Sequence, residues 1–173
     1  MKILEGRRGF GTIDMLLALC IAALIATGIF FFYKSGETTA RTQELTRILN
    51  KAQQNIRNWH IMEGSAYTAV TTKSLLWERN WFDRSLWTGS EIRNPWGGII
   101  TYGIADEGKT FTLEVSDIPD DACMNLARQS WDAAGITLNN KTEHTSFPIA
   151  AQTIINECRT SGGMASKFKI RSY

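Results

Sequence analysis

An α+β fold is predicted, in which a long N-terminal helix packs its second half on an antiparallel sheet. Three observations predict it. The segment Met15 to Tyr33 contains no charged residue. Directly after it, apolar side chains recur at helical spacing up to Trp59. Downstream, short alternating segments separated by turn residues read as strands. The length of 173 residues suits one globular domain with a sizeable core.

Residues 1–9, Met-Lys-Ile-Leu-Glu-Gly-Arg-Arg-Gly, are short and basic, which keeps that end on the cytoplasmic side of a membrane. The uncharged run that follows has 19 residues, interrupted only mildly by Thr27 and Gly28. A helix of that length nearly spans a hydrocarbon core of about 30 Å. A cleavable secretory signal fits less well. Its apolar part is usually shorter and ends at a small-x-small site, whereas this run ends in Phe30-Phe31-Phe32-Tyr33-Lys34. A plain signal anchor is the stronger rival.

After Gly36 the helix becomes amphipathic. Leu45, Ile48, Leu49, Ala52, Ile56 and Trp59 form the stripe that needs a partner, while Glu37 with Arg41 and Glu44 with Arg47 can pair on the wet side. Gly28 and Gly36 are soft points. Residues 63–97 read as an aromatic loop with a short helix around Thr72–Arg79. Asn94-Pro95-Trp96-Gly97-Gly98 marks a turn, since proline presets one dihedral and glycine lets the chain reverse. Ile99–Ile104 and Thr110–Val115 read as a hairpin turning at Ala105–Gly108. A helix is expected over Asp120–Ala133 and another from near Pro148 through Cys158. A breaker follows at Ser161-Gly162-Gly163, then a closing strand over Lys167–Tyr173.

Charge narrows the function. Without Lys2, Arg7, Arg8 and Glu5 the chain carries 16 residues of each sign, so composition gives no support for a dedicated nucleic-acid binder. The octapeptide Gly103–Thr110 matches the phosphate-loop formula. That formula needs a helix after the lysine, whereas Thr110–Val115 alternates as a strand, and Asp106 and Glu107 would repel phosphate. His60 and His144 are the only histidines and have no ligand cluster around them, so no metal or other cofactor is expected. No nucleophile elbow occurs, and Asp120 and Asp121 read as helix-start acids, so no enzyme activity is expected. Of three cysteines, Cys20 lies in the apolar run as a packing residue. Cys123 and Cys158 are a natural disulfide pair if the downstream region is exported.

The border between charge and grease reads Gly9-Phe10-Gly11-Thr12-Ile13-Asp14. A carboxylate just inside a membrane is costly and usually has a partner. If the chain is cut after Gly9, the new amine of Phe10 could neutralise Asp14 of the same or a neighbouring subunit. A basic leader, Gly9, Phe10, an acid five residues into the trimmed chain and a long apolar helix resemble the type IV pilins. The downstream region resembles the type IVb major pilins of conjugative-plasmid thin pili. It does so in Asn94-Pro95-Trp96-Gly97-Gly98, the following hairpin, Ile118-Pro119-Asp120-Asp121-Ala122-Cys123, and Cys158 ahead of the last strand. Asp14 stands where that family usually carries glutamate, and the leader is shorter than most type IVb leaders.

The resemblance implies a leader (1–9), a transmembrane and assembly helix (10–36) and a pilin globular domain (37–173). It implies a prepilin peptidase that cuts between Gly9 and Phe10 and methylates the new amine. It also implies an assembly role for Asp14 and a surface region bracketed by Cys123 and Cys158. The expected partners are lipid before assembly, the inner-membrane pilus machinery, and further copies in a helical filament. The expected route runs from inner-membrane precursor to extracellular pilus, serving adhesion, mating-pair contact or related surface functions. Two alternatives remain open: a minor pilin or type II secretion pseudopilin, and a membrane-anchored periplasmic sensor or enzyme.

Overall fold

The structure, a computed structural model, describes residues 11–64, 67 and 78–173. The contacts divide the chain into two compact units, one ending at Glu37 and one from Thr38 to Tyr173.

A single helix, α1, runs from Thr12 to Glu63. Its apolar stretch Thr12–Phe30 is long and apolar enough to cross a membrane, and none of it is buried. Its later part buries Leu45, Leu49, Ala52 and Ile56 completely, the stripe that the helical period predicts. The helix extends one turn beyond the predicted end at Trp59. It stops at Gly64, whose φ of 60° is left-handed and whose N–H donates to the His60 carbonyl at 3.0 Å.

Seven strands among the described residues form one antiparallel sheet. They are β1 (Trp87–Thr88), β2 (Glu91–Arg93), β3 (Ile99–Ala105), β4 (Thr110–Pro119), β5 (Gly135–Leu138), β6 (Glu143–His144) and β7 (Met164–Ser172). Their spatial order is β1-β2-β3-β4-β7-β5-β6. Helix α2 (Asp120–Ala127) follows β4, and α3 (Ala151–Cys158) precedes β7. Phe111, Leu113 and Val115 of β4 and Phe168 and Ile170 of β7 join the α1 stripe in one hydrophobic core. The opposite sheet face is charged and self-paired. Glu114 meets Lys169 at 2.8 Å, and Arg171 meets Asp106 at 2.5 Å and Glu143 at 2.6 Å.

The predicted α+β architecture is present, with several corrections. Residues 87–93, read as loop, form the edge hairpin β1–β2, whose strands are too short to show a period of two. Strand β4 runs four residues past Val115 because Ser116 and Asp117 make a bulge, Asp117 at φ 54°, before pairing resumes at Ile118. Helix α2 ends at Ala127, six residues early. The indole N–H of Trp131 turns back to donate to the Leu126 carbonyl at 2.7 Å, and Trp131 enters the core instead of continuing the helix. The β5–β6 hairpin was not predicted. It turns on Asn139-Asn140, both left-handed, the side-chain type that a tight hairpin turn selects. Of the helix expected over Thr72–Arg79, residues 72–77 lie outside the described residues.

The end of the chain is tied back to α1. Arg57 Nε donates to the Tyr173 carbonyl at 3.0 Å, and the same guanidinium engages Asp132 and the Ser172 hydroxyl.

Candidate functional site

The candidate site has three parts, beginning at the N-terminal end of α1. Asp14 sits in its first turn, and its carboxylate accepts the Gly11 N–H at 3.3 Å. An acid two residues inside the helix start thus satisfies an orphan backbone donor of its own chain. From Ile13 to Phe30 the large apolar side chains lie open, Leu24 being 74% exposed. Cys20 is exposed with them and unpaired. Thr27 returns its hydroxyl to the Ala23 carbonyl, which satisfies that group without water. Gly9 and Phe10 lie outside the described residues.

The second part is the turn at residues 94–98. Asn94 is 4% exposed and organises it. Its Oδ1 accepts the N–H groups of Trp96 at 2.8 Å and Gly98 at 3.1 Å, and its Nδ2 donates to the Ser116 carbonyl at 2.6 Å. Asn94 N–H donates to the Gly98 carbonyl at 2.8 Å. Gly97 takes φ 88°. Gly98 lies against the β4 bulge, where an added Cβ would come within 2.7 Å of Asn94 Nδ2 and 2.9 Å of Asp117 Cβ. The Pro95 carbonyl accepts from Arg41 Nη1 of α1 at 2.8 Å. The sequence places Arg41 on the wet side as a pair for Glu37. Its bond to the Pro95 carbonyl, like the part played by Ser116 and the bulge, is not foreseen there, because nothing near these residues in the chain marks their contact with the turn.

The third part is the bracket between α2 and α3. Cys123 and Cys158 form a disulfide with Cα atoms 5.7 Å apart, both fully buried. Asp120, read from sequence as a helix-start acid, is also a cross-link. It accepts the Thr160 N–H at 3.0 Å, the Thr160 hydroxyl at 2.9 Å and the Ser166 hydroxyl at 2.8 Å. Burial pushes its carboxyl up, but these three donors together outweigh burial and hold it below the usual aspartate range.

The sign of the pH effect follows. The unfolded chain binds a proton to Asp120 more readily than the folded one, so its contribution is full above about pH 4 and fades as pH falls through the depressed folded value. Asp120→Asn is expected to cost about 1–2 kcal/mol at neutral pH, since the amide brings a donor to face three donors. Thermal unfolding at pH 7 and pH 3 checks this. The gap between wild type and variant should narrow in acid.

The remaining sequence motifs sit in structural roles. Lys109 of the phosphate-loop look-alike is followed by β4, not by a helix. His60 stacks on Tyr67 at 4.1 Å, and His144 meets Glu157 at 2.7 Å. Among the described residues no group of three His, Cys, Asp or Glu side chains could hold a metal.

One helix with an open apolar stretch and a buried stripe, an antiparallel sheet and a disulfide between its last two helices define the pilin class of structural subunit. Residues 35–169 match the family described as PilS N terminal, and the chain belongs to that family. It is similar to the "Major structural subunit of bundle-forming pilus" of Escherichia coli O111:H- and that of Escherichia coli O127:H6 (strain E2348/69 / EPEC). Each is 25% identical over 154 residues, covering 83% of this chain and 78% of the relative. The crystal structure of type IV b pilin from Salmonella typhi shares the fold. Its TM-score is 0.53 at 20% identity, over 74% of this chain and 98% of that one.

Proposed function

We propose that the chain is a structural subunit of a type IV pilus. It is made as an inner-membrane precursor, cut between Gly9 and Phe10 by a prepilin peptidase, and polymerised through its apolar helix by the inner-membrane assembly machinery. One observation carries this reading: no residue of the apolar stretch Thr12–Phe30 is buried, while further along the same helix the stripe Leu45, Leu49, Ala52 and Ile56 is fully covered. So large an apolar surface needs cover. Lipid supplies it before assembly, and the same stretch of other copies supplies it in the filament. A repeated contact between two different surfaces, which does not close into a ring, builds a helix of subunits.

Asp14 sets the register in this scheme. A carboxylate at the edge of an apolar bundle is tolerated where a positive group meets it, and the Phe10 amine freed by cleavage is that group. The role is structural, with no catalysis, cofactor or nucleic acid required. The two similar proteins are named as major subunits, which supports a major rather than a minor role.

The test joins chemistry to assembly. The mature protein is expected to begin at Phe10 by N-terminal sequencing and mass. Asp14→Ala is expected to leave processed, folded monomer and to reduce sheared pili to few or none. A mature chain retaining Met1 to Gly9 beside an active peptidase would overturn the processing step. Normal pilus yield from Asp14→Ala would overturn the role of the carboxylate.

A further inference from the structure

Helix α1 is intrinsically weak over Thr38–Thr46. Thr38, Thr39, Thr42 and Thr46 crowd this stretch, and β-branched residues disfavour helix. Two of the threonines turn their hydroxyls back on the helix, Thr42 to the Thr38 carbonyl at 2.7 Å and Thr46 to the Thr42 carbonyl at 2.8 Å. Such back-bonding competes with the backbone ladder and loosens it. Burial of α1 also begins here, with Thr42 3% exposed and Leu45 fully buried after an exposed or half-buried approach. At this onset the guanidinium of Arg41 meets the Pro95 carbonyl at 2.8 Å.

The acceptor is well fixed. Five hydrogen bonds centred on Asn94 set the turn, and Arg93 Nη1 holds the neighbouring Gly97 carbonyl at 2.7 Å. A charged donor on a preorganised carbonyl is among the stronger neutral-acceptor bonds. We propose that Arg41 is a positioning residue for assembly, latching the weak stretch Thr38–Thr46 of α1 to the rigid Asn94–Gly98 turn. This rests on the pilus reading. A filament adds identical subunits in one geometry, and α1 must enter its held part at the same residue in every copy. Unlatched, the stretch frays and that point varies between copies.

The test uses the full chain in detergent micelles for hydrogen exchange, and cells for pilus yield. In Arg41→Ala the amides of Thr42–Thr46 should exchange about tenfold faster, the factor one bond to a charged donor is worth. The melting midpoint should move by only about 3 °C. Sheared pili should fall several-fold. Arg41→Lys keeps a charged donor for a single carbonyl and should restore most of both losses. Unchanged exchange at Thr42–Thr46 would overturn the latch, as would lost protection with normal pili. So would a midpoint drop as large as that of a disulfide-free variant, which would make Arg41 a general stability residue. If the wild-type chain forms no filament, the pilus reading fails, and the exchange measurement still decides the latch.

Discussion

Replacing Cys123 and Cys158 with serine is expected to destabilise the globular unit by about 4 kcal/mol and to lower its melting midpoint by roughly 10–15 °C. The bond closes a loop with a sequence separation of 35 residues. In the chain-entropy account, opening it restores to the unfolded chain the freedom the cross-link removed. The folded state also suffers. Both sulfurs lie in the core, and serine hydroxyls would stand there among apolar neighbours, which is costly for a hydroxyl without a hydrogen-bond partner. The bonds of Asp120 to Thr160, Ser166 and the Gly163 carbonyl and the packing of Ala122 and Leu126 then remain to hold α2 near β7, so local opening should concentrate in residues 120–163. Thermal unfolding with and without reductant gives the magnitude, and limited proteolysis locates the opening. A midpoint shift under about 3 °C would show that the helices are held by packing and by Asp120 instead.

Gly98→Ala is expected to cost about 3 kcal/mol, and Gly97→Ala about 1 kcal/mol. The adjacent glycines serve different purposes. Gly97 supplies a left-handed backbone in an exposed position, where alanine suffers mild strain and meets no atom within 4 Å. Gly98 is buried, and its missing side chain makes room for Asn94 Nδ2 and the backbone of the β4 bulge. An added methyl pushes the turn off Ser116, breaks the Nδ2 hydrogen bond and leaves a buried amide unpaired. Urea unfolding of both variants tests the ranking. Equal losses at the two positions would show that conformational freedom, not close approach, is why glycine stands there.

Much of the fold was legible because α1 is governed by rules local to the sequence. An uncharged run of 19 residues and a stripe at helical period need no knowledge of the partner to be recognised. Strands β4 and β7 alternate clearly enough to read. Strands β1, β2, β5 and β6 have two to four residues each, and such lengths carry too few alternations to stand out. Helix α2 was read too long because its boundary depends on the Trp131 side chain reaching back to Leu126, a contact that propensity does not encode.

The sequence by itself determined the apolar helix, its change to an amphipathic stripe after Gly36, the turn at residues 94–98 and the pair of cysteines available for a bridge. These follow from side-chain chemistry, spacing and chain conformation near each residue. The tertiary structure alone decided that Arg41 meets the Pro95 carbonyl and that Asn94 braces the β4 bulge. It also decided that Asp120 joins α2 to Thr160 and Ser166, and that Gly98 is required for space while Gly97 is required for φ. Each of these joins groups distant along the chain, and only the closed fold brings their donors and acceptors within bonding distance.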